Sequence, residues 1–309
     1  MPQVIFDAHQ DILWFEQNQQ SNKIVQTGIE RLINSPIKLV VASVFLDPEE
    51  TALFSQSQKA QIIEKDIKKY LALINQNKKL CLIKTKKDIE QLFFNDLTGF
   101  LLHIEGADFV GSDNLEIIDY FYDLGLRSVG LVWNNKNKLA VPAGVKGSLS
   151  ILGQELIQKC NQLGVIIDLA HANEQTFFQV IKASARPVSV SHANCFNFCR
   201  QHRNLTDHQI KILNDHGGVQ GIYFSSKFVS DRGAAINDVI RHIKHSYSLA
   251  PHSTMIGSDF GGITAGLVKG LESIDKLPLL MAAIRKEMGI DAVDKIAYQN
   301  FLIFLKKVL

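Results

Sequence analysis

Residues 164–195 read GVIIDLAHANEQTFFQVIKASARPVSVSHANC, and two short apolar runs within them each finish in a histidine. Val165 to Leu169 leads to His171, and Pro187 to Ser191 leads to His192. Both runs are rich in Val and Ile, bounded by Gly or Pro and of strand length, while Glu174 to Ala183 between them carries apolar residues at helical spacing. The stretch reads as strand, helix, strand. Such a βαβ unit sets its strands parallel and places the two imidazoles side by side at the carboxyl edge of the sheet. A buried histidine is more often satisfied by a hydrogen bond than by a metal, so other strand ends have to decide between the two.

Working outward, the same alternation runs through the chain. Val4 to Phe6 leads into Asp7-Ala8-His9-Gln10-Asp11, and further strands are expected at Lys38–Leu46, Gly99–Ile104, Ser128–Val132, Val219–Phe224 and Thr254–Ser258. Helical patterns fall at 56–75, 87–94, 115–124, 149–163, 206–215, 235–249, 277–288 and 292–307, with a short accessory strand at Leu80–Lys84 and a polar loop at 134–147. Strand and helix alternating eight times without a linker predict a single (β/α)8 TIM barrel over residues 1–309. A doubly wound open sheet is the other arrangement to weigh, but no GxGxxG follows the first strand.

Composition is that of an ordinary globular chain, with 46% hydrophobic and 21% charged residues in 309. A net charge of +2 argues against a nucleic-acid partner, and the compact basic run Lys84 to Lys87 reads as a solvated turn. Cys81, Cys160, Cys195 and Cys199 lack the spacing of a disulfide scaffold, so free thiols in a reducing compartment are expected. Cys195 and Cys199 lie four apart with no CxxC beside them, which weighs against thiolate ligation. MPQVIFDAHQD shows no secretory pattern and no apolar run is long enough to span a bilayer; a soluble cytoplasmic protein is the expectation.

The polar residues at the expected strand ends are His9 and Asp11, Glu105, His171, His192 and Asp259. Side chains two apart in a strand share a face, so His9 and Asp11 can approach one ion together, as His103 shares a face with Glu105. Active sites of this fold lie at the carboxyl face of the barrel, where all of these residues fall. Three imidazoles and three carboxylates gathered there are more polarity than a core tolerates unpaired, and metal ions would satisfy it. Nitrogen and carboxylate ligands suit zinc, with manganese, iron and cobalt open on ligand type alone.

Asp7-Ala8-His9-Gln10-Asp11, His103-Ile104-Glu105-Gly106, Ile167-Asp168-Leu169-Ala170-His171, Ser191-His192, Arg203-Asn204-Leu205-Thr206 and Gly257-Ser258-Asp259-Phe260 together resemble the renal or membrane dipeptidase family of zinc peptidases, a branch of the amidohydrolase superfamily. The resemblance runs from residue 4 to about residue 305, and its specificity lies in the order and spacing of the motifs. It implies a barrel with two Zn2+ that hydrolyses dipeptides bearing a free carboxyl terminus. Carried over by position, His9 and Asp11 would hold one ion, His171 and His192 the other, and Glu105 would bridge both. Two metals roughly 3.5 to 4 Å apart lower the pKa of a shared water and supply hydroxide at neutral pH. Asp259 would accept the proton and pass it to the leaving amine. Arg203, eleven residues after His192, would clamp the substrate carboxylate. The resemblance also brings a homodimer as an expectation.

Three positions depart from the family. Trp133 stands where well-studied members have a histidine that touches substrate and helps stabilise the tetrahedral oxyanion; tryptophan offers one N–H and no cationic form. Phe228 replaces a tyrosine lining the pocket, and Gly261 replaces the second aspartate of Asp-Phe-Asp-Gly. A reshaped pocket leaves open a metal-dependent amidohydrolase for another small amide or lactam, or a non-catalytic metal- or ligand-binding relative.

Overall fold

The structure, a computed structural model, describes residues 4–18, 24–264 and 266–309. Residues 1–3, which the reading of the amino terminus includes, lie outside the described residues.

Among the described residues nine parallel strands form in chain order: β1 (Ile5–Gln10), β2 (Ile37–Phe45), β3 (Leu80–Leu82), β4 (Thr98–Glu105), β5 (Leu126–Gly130), β6 (Ile166–Asp168), β7 (Ser189–Val190), β8 (Val219–Ile222) and β9 (Thr254–Ile256). Each pairs with the next in sequence except at β3, where β2 pairs directly with β4 from Leu39↔Gly99 to Phe45↔Glu105. β9 returns to β1 through Asp7↔Ile256, which closes an eight-stranded parallel barrel. β3 is the accessory strand, laid along the first half of β4 beside Gly99. The expected (β/α)8 barrel is thus the observed fold.

Strand pleating separates two cores. Val40, Ala42 and Val44 of β2 and Leu102 and Ile104 of β4 face the surrounding helices. Leu39, Val41, Leu101, Ile166, Val219 and Met255 fill the barrel interior and meet Phe301, Phe304 and Leu305 of the carboxyl-terminal helix. That helix closes the end opposite the strand termini, where Arg186 Nη1 donates to the Val308 carbonyl at 3.0 Å. The interior above this apolar floor is left to polar residues: Leu101 is followed on the same face of β4 by His103 and Glu105. Alternation fails in β1, where Phe6 and Ala8 pack inside and a register irregularity between Asp7 and Gln10 lets His9 turn to the barrel mouth as well.

Two elements differ from the sequence expectation for identifiable reasons. The strand expected at Ser128–Val132 begins at Leu126, because Arg127 inside it is buried with its guanidinium donating to the carbonyls of Lys84, Tyr122 and Leu126. Trp133 therefore lies in the loop beyond the strand. The last helical pattern, 292–307, divides into Ile290–Asp294, a π turn at Lys295–Gln299 and Asn300–Val308. Asn300 is buried there and donates to the carbonyls of Pro251 and Thr254, which pins the helix to the entry of β9.

Between β7, β8 and β9 the backbones approach closely. A Cβ on Gly221 would lie 1.9 Å from the Ser191 carbonyl oxygen, and one on Gly257 1.8 Å from it. Gly221→Ala is accordingly expected to destabilise the fold by about 2 to 3 kcal/mol, since the obstructing atom is backbone and cannot rotate away. The midpoint of urea unfolding measures this, and an unchanged midpoint would contradict the packing.

Candidate metal centre

Each expected residue stands at a strand's carboxyl end. His9 is in β1 and Asp11 just beyond it, Glu105 ends β4, His171 and His192 follow β6 and β7, and Asp259 follows β9. All six are buried and the barrel mouth brings them together.

Glu105 lies at the centre. Its Oε2 is 3.6 Å from His9 Nε2, while its Oε1 is 2.8 Å from His171 Nε2 and 3.5 Å from His192 Nε2. His9 Nε2 also lies 3.7 Å from Asp11 Oδ1 and 3.6 Å from Asp259 Oδ1. One carboxylate therefore turns a different oxygen to each of two donor sets. His9, Asp11 and Glu105 form one set whose ligand atoms lie within 4.8 Å of one another, and Glu105, His171 and His192 form the other.

Hydrogen bonds fix which ring nitrogens are free. Ser191 Oγ donates its single proton to Asp168 Oδ2 at 2.5 Å, so at 2.9 Å it accepts from His192 Nδ1–H, leaving His192 Nε2 a bare lone pair. His171 Nδ1–H donates to Asn134 Oδ1 at 3.1 Å, which bares His171 Nε2 in turn; Arg203 Nη2 donates to it at 3.0 Å. Both lone pairs point to the same space, 3.2 Å apart. His9 Nε2 and Asp11 Oδ1 are buried with no hydrogen-bond partner among the described residues. Leaving such groups unpaired costs several kcal/mol, and a divalent cation is the partner that nitrogen and carboxylate donors in this arrangement fit.

Electrostatics agree with that fit. Burial alone would raise Glu105, but the imidazoles of His9 and His171 hold it well below the usual carboxylate range. Burial would lower His9, yet Glu105 and Asp11 outweigh it and keep that ring well above its ordinary value, a sign of local negative potential. Burial and Arg203 push His171 down to about 4, and burial with His9 holds His192 well below its usual value, so both rings are neutral at neutral pH. Asp259 is raised well above the carboxylate range by burial and by Asp11.

Asp259 adopts φ +62°, a left-handed conformation that aspartate tolerates better than most residues. Its N–H donates to the His9 carbonyl and the Asp11 N–H to the Phe260 carbonyl, both at 3.0 Å, which ties the turn to β1. Gly261 follows at φ +97°, where a Cβ would lie 2.6 Å from the Asp11 carbonyl oxygen. The second aspartate of the family motif has no room in this turn.

A cavity of about 510 Å³ opens over these residues. Trp133, Phe45 and Trp14 form one aromatic group along it, with ring centroids 4.9 Å apart for Phe45–Trp133 and 6.5 Å for Trp14–Phe45. Phe228 is in a second group, stacked at 5.1 Å on Tyr223, with the Arg203 guanidinium 5.8 Å over its ring. Sequence reasoning missed Tyr223. It hid inside an apolar strand pattern, yet it follows the end of β8, lines the cavity and lies beside Asp259, which together with burial pushes its phenol well above the usual range. Asn194 holds its backbone at both N–H (3.1 Å) and carbonyl (2.9 Å). Asn134, which supports His171, was equally unmarked in the sequence. Cys195 and Cys199 are buried and bond to the His242 and Lys227 carbonyls, so they stand outside both donor sets.

Residues 2–309 match the family model described as membrane dipeptidase (peptidase family M19). The chain belongs to this family. Membership makes it a hydrolase. A Klebsiella pneumoniae relative, an uncharacterized protein in the pqqA 5′ region, is 33% identical over 248 residues, 74% of this chain and 89% of its own length. Dipeptidase verJ of Clonostachys rogersoniana is 25% identical over 310 residues, 91% of this chain and 78% of that one. The metallopeptidase of Rhodobacter sphaeroides, crystallised with a phosphinate mimic of the dipeptide L-Ala-D-Ala, shares the fold of this family member with a TM-score of 0.91 over 100% of both chains, at 21% identity. Among the described residues no helix is long and apolar enough to cross a membrane.

Proposed function

We propose that the chain is a binuclear zinc dipeptidase. The observation that carries this reading is Glu105, whose two oxygens face two separate sets of imidazole and carboxylate donors at 2.8 to 3.6 Å. His9, Asp11 and Glu105 would hold one ion, and Glu105, His171 and His192 the second. When bound, the pair supplies Lewis acidity and a water of lowered pKa.

The chain's own residues do the rest. Asp259 lies 3.6 Å from His9 Nε2 at the edge of the first donor set, within reach of the attacking water's proton, which it takes and returns to the leaving amine. Tyr223, held by Asn194 and Phe228, keeps that carboxylate turned toward the centre. Arg203 and Lys227 line the same cavity and give it the positive charge that a free carboxyl terminus needs. In a substrate complex the Arg203 guanidinium would turn from His171 Nε2 to pair with the substrate carboxylate. Trp133 and Phe228 shape the space for side chains. Zinc as the ion, a cytoplasmic setting suited to four free cysteines, and a homodimer complete the reading; light scattering of the purified chain checks the last.

Purified protein is expected to carry two zinc ions and to release amino acids from Xaa-Xaa dipeptides, losing that ability on chelation. A loaded chain that turns over no dipeptide would defeat the proposal. The tilted Phe45–Trp133 pair lines the cavity and favours a second reading, an amidohydrolase for another small amide or lactam. Turnover of N-acyl amino acids or lactams above that of every dipeptide would select it. Arg203→Ala is expected to reduce kcat/KM on dipeptides by about 10- to 100-fold through KM, the effect of losing a charged hydrogen-bonded pair of ~1.5 to 3 kcal/mol. Dipeptides with amidated carboxyl termini serve as the control and should be indifferent to the change.

A further inference from the structure

Beneath the metal centre lies a second polar layer that the proposed reaction does not use. His103, one turn of the pleat below Glu105, is buried, with Nδ1 2.9 Å from Ser128 Oγ and Nε2 3.7 Å from Asp168 Oδ2. A nitrogen of His9, a nitrogen of His103 and an oxygen of Asp168 lie within 4.8 Å of one another. The rings of His9 and His103 meet edge to face at 5.4 Å. His9 Nδ1 and His103 Nε2 are both buried without a hydrogen-bond partner among the described residues. Because His9 Nε2 faces Asp11, Glu105 and Asp259, Nδ1 is the atom His9 has left for this layer.

We infer that His103 and Asp168 enclose one ordered water that accepts from His9 Nδ1–H, making His103 a positioning residue for the metal ligand His9. The inference rests on the reading of His9 as a ligand. A ligating imidazole requires its second nitrogen to donate, since that bond fixes the tautomer and the ring plane. Here the nearest groups stand beyond direct reach, and three polar partners around one small space are what a buried water requires. The water donates one proton to Asp168 Oδ2 and the other to His103 Nε2, while His103 Nδ1–H donates to Ser128 Oγ. Each ring nitrogen of His9 and His103 that faces this layer then has a partner.

A third cation in the same space is disfavoured, because it would need His9 to lose both ring protons while already serving an ion through Nε2. Asp168 also accepts from Ser191 N and Oγ at 2.7 and 2.5 Å, and Ser191 orients His192. One buried carboxylate thereby steadies a ligand of each donor set, directly through a serine on one side and through the water and His103 on the other.

The test compares zinc binding by the full chain, its His103→Leu variant and its His103→Gln variant, by equilibrium dialysis against buffered zinc with metal counted per chain. Leucine removes the polar partner, and about 10- to 100-fold weaker binding of one ion with the other unchanged is expected. Glutamine keeps a donor and an acceptor at that position and should recover most of the loss, which a general packing defect would not do. A crystal structure of the zinc-loaded parent should show a water in hydrogen-bonding distance of His9 Nδ1, His103 Nε2 and Asp168 Oδ2. The inference is overturned if His103→Leu binds both ions as tightly as the parent, if a third ion occupies the space, or if the space is dry. A parent chain that binds no zinc overturns the binuclear reading itself and this inference with it.

Discussion

Asp259→Asn is expected to lower kcat on dipeptides by about 10²- to 10⁴-fold, the range for losing a positioned general acid–base group, with zinc content per chain unchanged. Asparagine is isosteric and also tolerates a left-handed backbone, so the φ of +62° and the bonds to β1 survive the change. What disappears is the ability to take up a proton and release it. Burial and the neighbouring Asp11 raise this carboxyl well above its ordinary range, so it retains a proton more readily than a solvated aspartate. Steady-state kinetics beside metal analysis checks the expectation. A variant as active as its parent would remove Asp259 from the reaction.

Glu105→Gln should act on the metal instead. The amide has one oxygen and one NH2, so whichever way it turns, one donor set meets a group that cannot ligate. Oε2 faces His9 at 3.6 Å and Oε1 faces His171 at 2.8 Å, so neither side can be spared. Removing one partner from a buried charged cluster costs about 3 to 5 kcal/mol, which corresponds to zinc binding weaker by roughly 10²- to 10⁴-fold. Activity should fall with it and return in part at high zinc. Two tightly held ions in this variant would show that Glu105 does not bridge.

The contrast between these variants reflects what the sequence made legible. His9, Asp11, Glu105, His171, His192 and Asp259 could be picked out because each follows an apolar run of strand length, and a barrel gathers all strand ends at one rim. The closure of β9 on β1 follows from the same count of alternating elements. Local exceptions were opaque. Arg127 lies inside β5, where the carbonyls of Lys84, Tyr122 and Leu126 satisfy its guanidinium, and the first of these is 43 residues away. Asn300 and the π turn before it are explained by carbonyls at Pro251 and Thr254, which no periodicity contains. Tyr223 read as one more apolar residue, and only its place after β8 shows the phenol beside Asp259. Pattern locates strand ends well; it says nothing of which distant backbone will satisfy a polar side chain.

The seam between the first and last strands has a consequence for how the molecule acquires its shape. Asp7↔Ile256 pairs them in the ladder, Gln10↔Phe260 bridges them just beyond it, and Asp7 receives the N–H and hydroxyl of Ser258 across 251 positions of chain. Contacts so remote form late, after the entropy of closing the intervening loop has been met. A nascent chain can bring His171 and His192 together from neighbouring strands, but His9, Asp11 and Asp259 meet only when the ring shuts. Completion of the cylinder and competence for chemistry would then be one kinetic event, and partly folded species would be inert.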